Sequence, residues 1–308
     1  MEIRRIEAGE IITEPGFYAM PIGWYHSDCC DGPSVSSSGL RALELKTPLH
    51  FWDESYLNPD RNPEATDELE AAHFRLGRAG HFLMLEPHLF EQNIAVRPDA
   101  WDSWRSSASK AWAAQQQQAG KTILTPDELA RARGVAAQLN AHPLLKEGLL
   151  GGLVEVSMIC RDAKTGIWIK SRPDSIPRDN AFSDLKIMNE ASPQAVARAI
   201  DSLGYDLQLA LAGVCMFKLT ERTIDQFWLV CCESSRPHAI HVAALSVNAV
   251  YWARIRLRHA LDTMAECLKT GQWPSYESDG AEYDITDRKA TLWKEFQNGG
   301  LLPKDDTF

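Results

Sequence analysis

The sequence predicts a mixed α/β domain, a sheet flanked by helices, from three observations. Three short strand-like runs follow one another at 153–160, 167–176 and 181–188, each ended by turn-forming residues such as Asp, Asn, Gly or Pro. A strongly helical stretch precedes them at 67–86, and two helix-like segments follow between 192 and 213. Two further strands, at 227–232 and 238–245, lead into a long helix over about 248–269. The core order is therefore αβββαβ with helical additions, which one layered domain accommodates.

Taken in order, residues 1–32 read as an extended arm with turns. Ser36-Ser37-Ser38-Gly39 ahead of LRALEL signals a helix start with a serine N-cap. Pro48 interrupts it, and His50-Phe51-Trp52 begins a second short helix before the Pro- and Asn-rich loop 57–66. The helix 67–86 is closed by Pro87, and Gly77, Ala79 and Gly80 give it a slim side that admits another backbone. His81 lies one turn beyond Gly77 on that side. Such a lone histidine is more often a hydrogen-bonded core residue than a ligand, and spacing alone leaves both readings open. Residues 100–150 read as a helical insertion, with Thr125-Pro126-Asp127-Glu128 as a clear helix start. One domain over 1–308 is expected: an arm and helices at 1–66, a core at 67–246 containing the insertion, and a C-terminal helix and tail at 247–308.

The third strand carries chemistry. Alternation puts Phe182, Asp184 and Lys186 on one face and Ser183, Leu185 and Ile187 on the other. A carboxylate and an ammonium on an apolar strand cost desolvation unless something uses them. The second strand adds Asp174 directly after Pro173, and a hairpin between the second and third strands would bring Asp174 and Asp184 to one point. Two carboxylates and a backbone carbonyl make an oxygen-rich site suited to Mg²⁺ or Mn²⁺. Lys186 beside them is placed to orient water and to offset charge on a phosphate. The plain alternative is a surface hairpin with a solvated Asp–Lys pair. Beyond these strands, Ser192-Pro193 opens one helix and Gly204 restarts the chain as another. This second helix is apolar on most sides, yet Tyr205 and Gln208 stand three apart on one face. In the long helix that follows, Arg254, Arg256, Arg258 and His259 face solvent or a polyanion.

Composition sets bounds. The 308 residues are 44% apolar and 24% charged, ordinary values for a globular protein. No run reaches the length of a membrane helix, and the N-terminal segment lacks the apolar core of a signal peptide, so a cytoplasmic protein is expected. A net charge of −10 argues against a general polyanion binder but not against a local basic groove. Residues 161–186 supply one, with six basic residues (Arg161, Lys164, Lys170, Arg172, Arg178 and Lys186) against four aspartates. The seven cysteines form no CxxC pair, so neither zinc nor an iron–sulfur cluster is expected, only reduced, buried thiols. Tyr25-His26 ahead of Cys29 and Cys30 also lacks the spacing of a tetrahedral ligand set.

Several separate pieces together resemble the exonuclease VIII (RecE-type) branch of the PD-(D/E)xK nuclease superfamily, related to RecB-type nuclease domains and lambda-type exonuclease. They are Tyr25-His26, SSSGLRAL at 36–43 and Pro48-Leu49-His50-Phe51; Leu76-Gly77-Arg78-Ala79-Gly80-His81 and Leu85-Glu86-Pro87; then Arg172-Pro173-Asp174, Asp184-Leu185-Lys186 and Gly204-Tyr205-Asp206-Leu207-Gln208. They occur in the family's order over about residues 25–213. The resemblance implies a restriction-endonuclease-like core. It implies that Asp174 and Asp184 are metal carboxylates, with the Leu185 carbonyl and His81 completing the Mg²⁺ or Mn²⁺ site, and that Lys186 is the catalytic lysine. Tyr205 and Gln208 would support the site and contact the phosphate, and Glu155 would be a further carboxylate beside it. Arg75, Arg78 and Arg172 are the candidates for gripping DNA. The implied activity is a Mg²⁺-dependent exodeoxyribonuclease acting 5′→3′ on linear double-stranded DNA. It would leave 3′ single-stranded tails for a recombinase or annealing protein. A homo-oligomeric ring, no membrane partner, and the cytoplasm of a bacterial or phage-infected cell are implied with it. The rival readings are a structure- or sequence-specific endonuclease using the same site, and a catalytically silent DNA-binding module. The intact Asp174, Asp184 and Lys186 argue against the silent module.

Overall fold

The computed structural model describes residues 2–61, 72–101, 103–176, 180–276 and 287–299. The chain divides into two units, Met1–Pro274 and Ser275–Phe308. In the first, the segment expected as an arm is built into a sheet. β1 (Ile3–Arg5) and β2 (Gly16–Ala19) run parallel, α1 (Ile22–Tyr25) follows, and β3 (Ser34–Ser36) leads into α2 (Ser37–Leu45). Ser36 takes extended backbone angles at the N-cap of α2. α3 (Pro48–Glu54) starts with proline, whose missing N–H would have no intrahelical partner there, and Thr47 caps it by accepting from His50 N.

α4 (Ala72–Leu85) is the helix expected over 67–86; residues 67–71 lie outside the described residues. α5 (Phe90–Asn93) and β4 (Ile94–Val96) follow, and the expected insertion at 100–150 holds α6 (Ser107–Gln118), β5 (Thr122–Leu124), α7 (Pro126–Ala141) and α8 (Pro143–Lys146). It is not purely helical, because its β5 pairs in parallel with β4. α7 begins with a complete capping box between Thr125 and Glu128.

The three expected strands fare differently. The first is divided into β6 (Leu153–Val154) and β7 (Ser157–Arg161), because Glu155 adopts a left-handed φ of 55°. The second is divided into β8 (Trp168–Ser171) and β9 (Ser175–Ile176), since Pro173 has no N–H to give a ladder. The third, β10 (Ala181–Met188), keeps its expected bounds. The hairpin expected between the second and third strands does not form. After α9 (Pro193–Leu203) and α10 (Tyr205–Thr220), β11 (Gln226–Glu233) pairs in parallel with every residue of β10, and β12 (Ile240–Ala244) adds antiparallel to β11. A second sheet runs β1-β2-β7-β8-β3, and β6 pairs with β9 alone. α11 (Val247–Thr270) closes this unit; the other holds α12 (Asp287–Asn298).

α10 is apolar nearly all round and is accordingly buried, with Leu207, Ala210 and Cys215 at 0% exposure. Each fully buried Leu or Phe contributes roughly 2 kcal/mol. β10 lies between two helical layers. Phe182 packs into the core of α10 and α11, whereas Leu185 and Ile187 pack on the other side with Met84 of α4 and Val135 and Leu139 of α7. The expected alternation of faces is thus present. All seven cysteines are buried and free. On α11, Arg256 pairs with Glu44 and Asp206, Arg258 with Asp162 and Asp262, and His259 with Glu44. Among the described residues, no helix is long and apolar enough to cross a membrane.

Candidate active site and metal centre

The site forms where α4, β10 and α10 meet the break between β8 and β9. Gly80 helps this happen: a Cβ there would collide with Ile187 Cδ1, so the glycine lets α4 pack this close to β10 with Ile187 as it stands. The approach sets His81 Nε2 3.0 Å from the Leu185 carbonyl. A carbonyl only accepts, so Nε2 carries the proton and the lone pair of the neutral ring is on Nδ1. Nδ1 stands 3.6 Å from Asp174 Oδ1.

Asp174 is 8% exposed, and its Oδ2 accepts from the Leu185 N–H at 2.6 Å. The two strands therefore meet through a carboxylate rather than a ladder. Burial, then the charge of Asp184, raises the Asp174 pKa to about 6, against the pull of His81 and Lys186. Glu155 arrives through the left-handed break between β6 and β7. His81, Glu155 and Asp174 each offer one donor atom, all within 4.8 Å of one another. Glu155 also accepts from Arg172 Nε at 2.7 Å. Glu86, part of the Leu85-Glu86-Pro87 motif but given no role by it, has its pKa raised by burial and then by Glu155.

On the other side of Leu185 stands a second group. Asp184 is 1% exposed; its Oδ2 lies 2.5 Å from Lys186 Nζ, and its Oδ1 accepts from Gln208 Nε2 at 2.8 Å. Gln208 Oε1 in turn accepts from Lys186 Nζ at 3.2 Å, so both ends of the amide are engaged and its orientation is fixed. The ammonium lies 4.8 Å from the centre of the Tyr205 ring, a cation–π distance. Burial pulls the lysine pKa down, but Asp184 and then Asp174 outweigh it and hold Lys186 above its ordinary value. The one-turn step from Tyr205 to Gln208 puts both under Lys186, and Gly204, with φ of 65°, makes the corner that starts their helix.

The structure thus gathers His81, Asp174, Leu185, Asp184, Lys186, Tyr205 and Gln208 as the motifs suggest, in two groups rather than one. Glu155 joins the donors, whereas the oxygens of Asp184 rest on Lys186 and Gln208, and the Leu185 carbonyl faces His81. Of the three arginines, Arg75 pairs with Glu128 at 2.6 Å, Arg78 donates to Thr122 at 2.8 Å and Arg172 holds Glu155. Arg178 lies outside the described residues.

A mixed α/β core that sets an Asp between two short strands beside the Asp-x-Lys of the next strand is the arrangement of PD-(D/E)xK nucleases, and the chain is a member of that superfamily. It belongs to the family described as PDDEXK-like domain of unknown function (DUF3799), whose model matches residues 49–286. No curated protein matches the chain. A crystal structure from Eubacterium rectale, provisionally named an exonuclease, is similar with a TM-score of 0.55 and 13% identity, covering 84% of this chain and 92% of its own. That likeness concerns the fold. An alkaline exonuclease from Laribacter hongkongensis is 11% identical over 54% of this chain and 86% of its own, and its TM-score of 0.24 is too low to argue from.

Proposed function

We propose that the chain is a divalent-metal-dependent deoxyribonuclease that removes nucleotides from the ends of linear double-stranded DNA. The observation that carries this reading is the meeting of two groups across Leu185, with the donors His81, Glu155 and Asp174 on one side and the ion-paired Lys186 on the other. The donors fit a hard divalent cation: two carboxylates, and an imidazole whose second nitrogen is fixed on a carbonyl. His81, Glu155 and Asp174 would hold Mg²⁺ or Mn²⁺, which would supply Lewis acidity toward a phosphate oxygen and a water.

The remaining chemistry belongs to the chain. Lys186 is an ammonium locked by Asp184, so it donates: it orients the attacking water and offsets negative charge growing on the phosphoryl oxygens. Gln208 fixes the distance between Lys186 and Asp184, and the Tyr205 ring supports the ammonium from below. Asp174 gives up its proton near pH 6, later than an ordinary aspartate, and only then offers a full negative charge. Action from DNA ends, 5′→3′ polarity, 3′ tails passed to a recombinase or annealing protein, and assembly as a ring are supported by the run of RecE-type motifs from Tyr25-His26 to Gln208.

The test compares end-labelled linear duplex with closed circular duplex, in Mg²⁺ or EDTA, for wild type and Lys186→Ala. Metal-dependent loss of the linear substrate alone, abolished in the variant, is expected, and the released label reports polarity. Cutting of the circle would replace the exonuclease with an endonuclease. Intact binding without cleavage of either would sink the catalytic reading.

A further inference from the structure

The three arginines that the sequence offers for DNA already have partners within the fold. Arg41, on α2, differs. Its Nη1 donates to the Leu203 carbonyl at 2.8 Å, which ties the end of α9. Its Nε is buried with no hydrogen-bond partner, and no carboxylate lies within ion-pair distance of the guanidinium among the described residues. A guanidinium does not shed its charge, so a half-buried one without a counter-ion is costly to keep.

Its location joins it to the reacting groups. The side chain lies against Gly204, where a Cβ would come within 3.0 Å of Arg41 Cδ. Gly204 leads directly into Tyr205 and, one turn on, Gln208, which hold Lys186. Burial lowers the Arg41 pKa, and the charge of nearby Asp184 only partly opposes it. Asp184 cannot neutralise Arg41, however, because its two oxygens are spent on Lys186 and Gln208. The site therefore carries a cation beyond the one the lysine group balances, at its edge, with unclaimed N–H donors.

We propose that Arg41 is a substrate-binding residue that receives a backbone phosphate flanking the scissile one; this rests on the nuclease reading. A phosphate oxygen there would supply the missing counter-ion and meet the planar donors of the guanidinium. The hydrogen bond to Leu203 makes the grip rigid. It fixes the strand relative to Gly204 and hence relative to Lys186.

The test uses the full-length chain and duplexes carrying one uncharged methylphosphonate at successive positions around the cleavage point, read as single-turnover rates. In wild type, one flanking methylphosphonate should slow cleavage roughly 10- to 100-fold, the range of a charged hydrogen bond. Arg41→Ala should be slowed comparably on ordinary DNA yet be indifferent to that same methylphosphonate. Arg41→Lys, which keeps the charge without the fork, should fall between. Arg41→Gln keeps a donor for Leu203 and serves if the alanine variant does not fold. A loss in Arg41→Ala that is equal at every methylphosphonate position would make Arg41 only a cap for α9 and overturn the proposal. Wild-type cleavage without any flanking-phosphate dependence would overturn it alone. Wild type that cuts no DNA at all would instead sink the nuclease reading beneath it.

Discussion

The two groups that meet at Leu185 are built on opposite principles. Around Lys186 every charge has a partner: Asp184 pairs with the ammonium, Gln208 bridges both, and the Tyr205 ring covers the remaining face. Around Asp174 the charges are in surplus. Its carboxylate is buried, its pKa is pushed up to about 6, Glu155 sits nearby at a strained backbone angle, and His81 turns an unclaimed nitrogen toward them. The first group is complete as folded, and the second is stable only at some cost. The contrast teaches that stability and chemistry are separable within one site, because removing a charge should do opposite things on its two sides.

The largest effect is expected on the balanced side. Lys186→Ala leaves Asp184, 1% exposed, with Gln208 alone. An uncompensated buried charge of this kind costs about 3–5 kcal/mol. Loss of the ammonium in contact with Asp184 should also cut turnover by about 10²–10³-fold. Chemical denaturation of the variant in EDTA checks the first figure. An unchanged midpoint would show that the pair is not buried as described.

On the surplus side the sign reverses. Because the folded pKa of Asp174 lies above that of an unfolded aspartate, its contribution to stability is full at about pH 4 and is lost as pH rises through about 6. Asp174→Asn mimics the protonated form and escapes that loss. In EDTA it should match wild type at pH 4 and exceed it at pH 8 by up to roughly 3 kcal/mol, two pKa units of interaction. The same variant should lose the rise in melting temperature that Mg²⁺ or Mn²⁺ gives wild type. A variant less stable than wild type at pH 8 would refute the charge surplus.

Sequence legibility follows the same division. β10 could be read because alternation of Phe182, Asp184 and Lys186 against Leu185 and Ile187 is local, and α7 because Thr125 and Glu128 cap each other. Gly204 announced the corner before α10 by its residue type alone. The breaks were less visible. Glu155 takes a left-handed angle that its residue type does not announce, so the strand looked continuous through it. The partner of β10 was not legible either, since pairing with β11 across two intervening helices is set by tertiary packing, and the nearer β8–β9 segment looked equally able to pair. Arg41 was hidden for another reason. An unpaired guanidinium is recognised by what is absent around it, and sequence does not contain absences.

The smallest effect tests how the two groups are held together. Gly80 on α4 packs directly on Ile187 of β10, so this contact sets the distance between His81 and the strand that carries Asp184 and Lys186. Gly80→Ala inserts one methyl group against Ile187 Cδ1. The side chain can turn aside, so the strain should stay near about 1–3 kcal/mol, the usual range for an overfilled core. The displacement of α4 should also weaken the metal-induced rise in melting temperature, because His81 moves while Asp174 stays in the break between β8 and β9. Ile187→Val removes the colliding Cδ1 atom and should return most of both losses in the double variant. If the second substitution returns nothing, the glycine is not what spaces α4 from β10, and the geometry of His81 must be held from elsewhere along the helix.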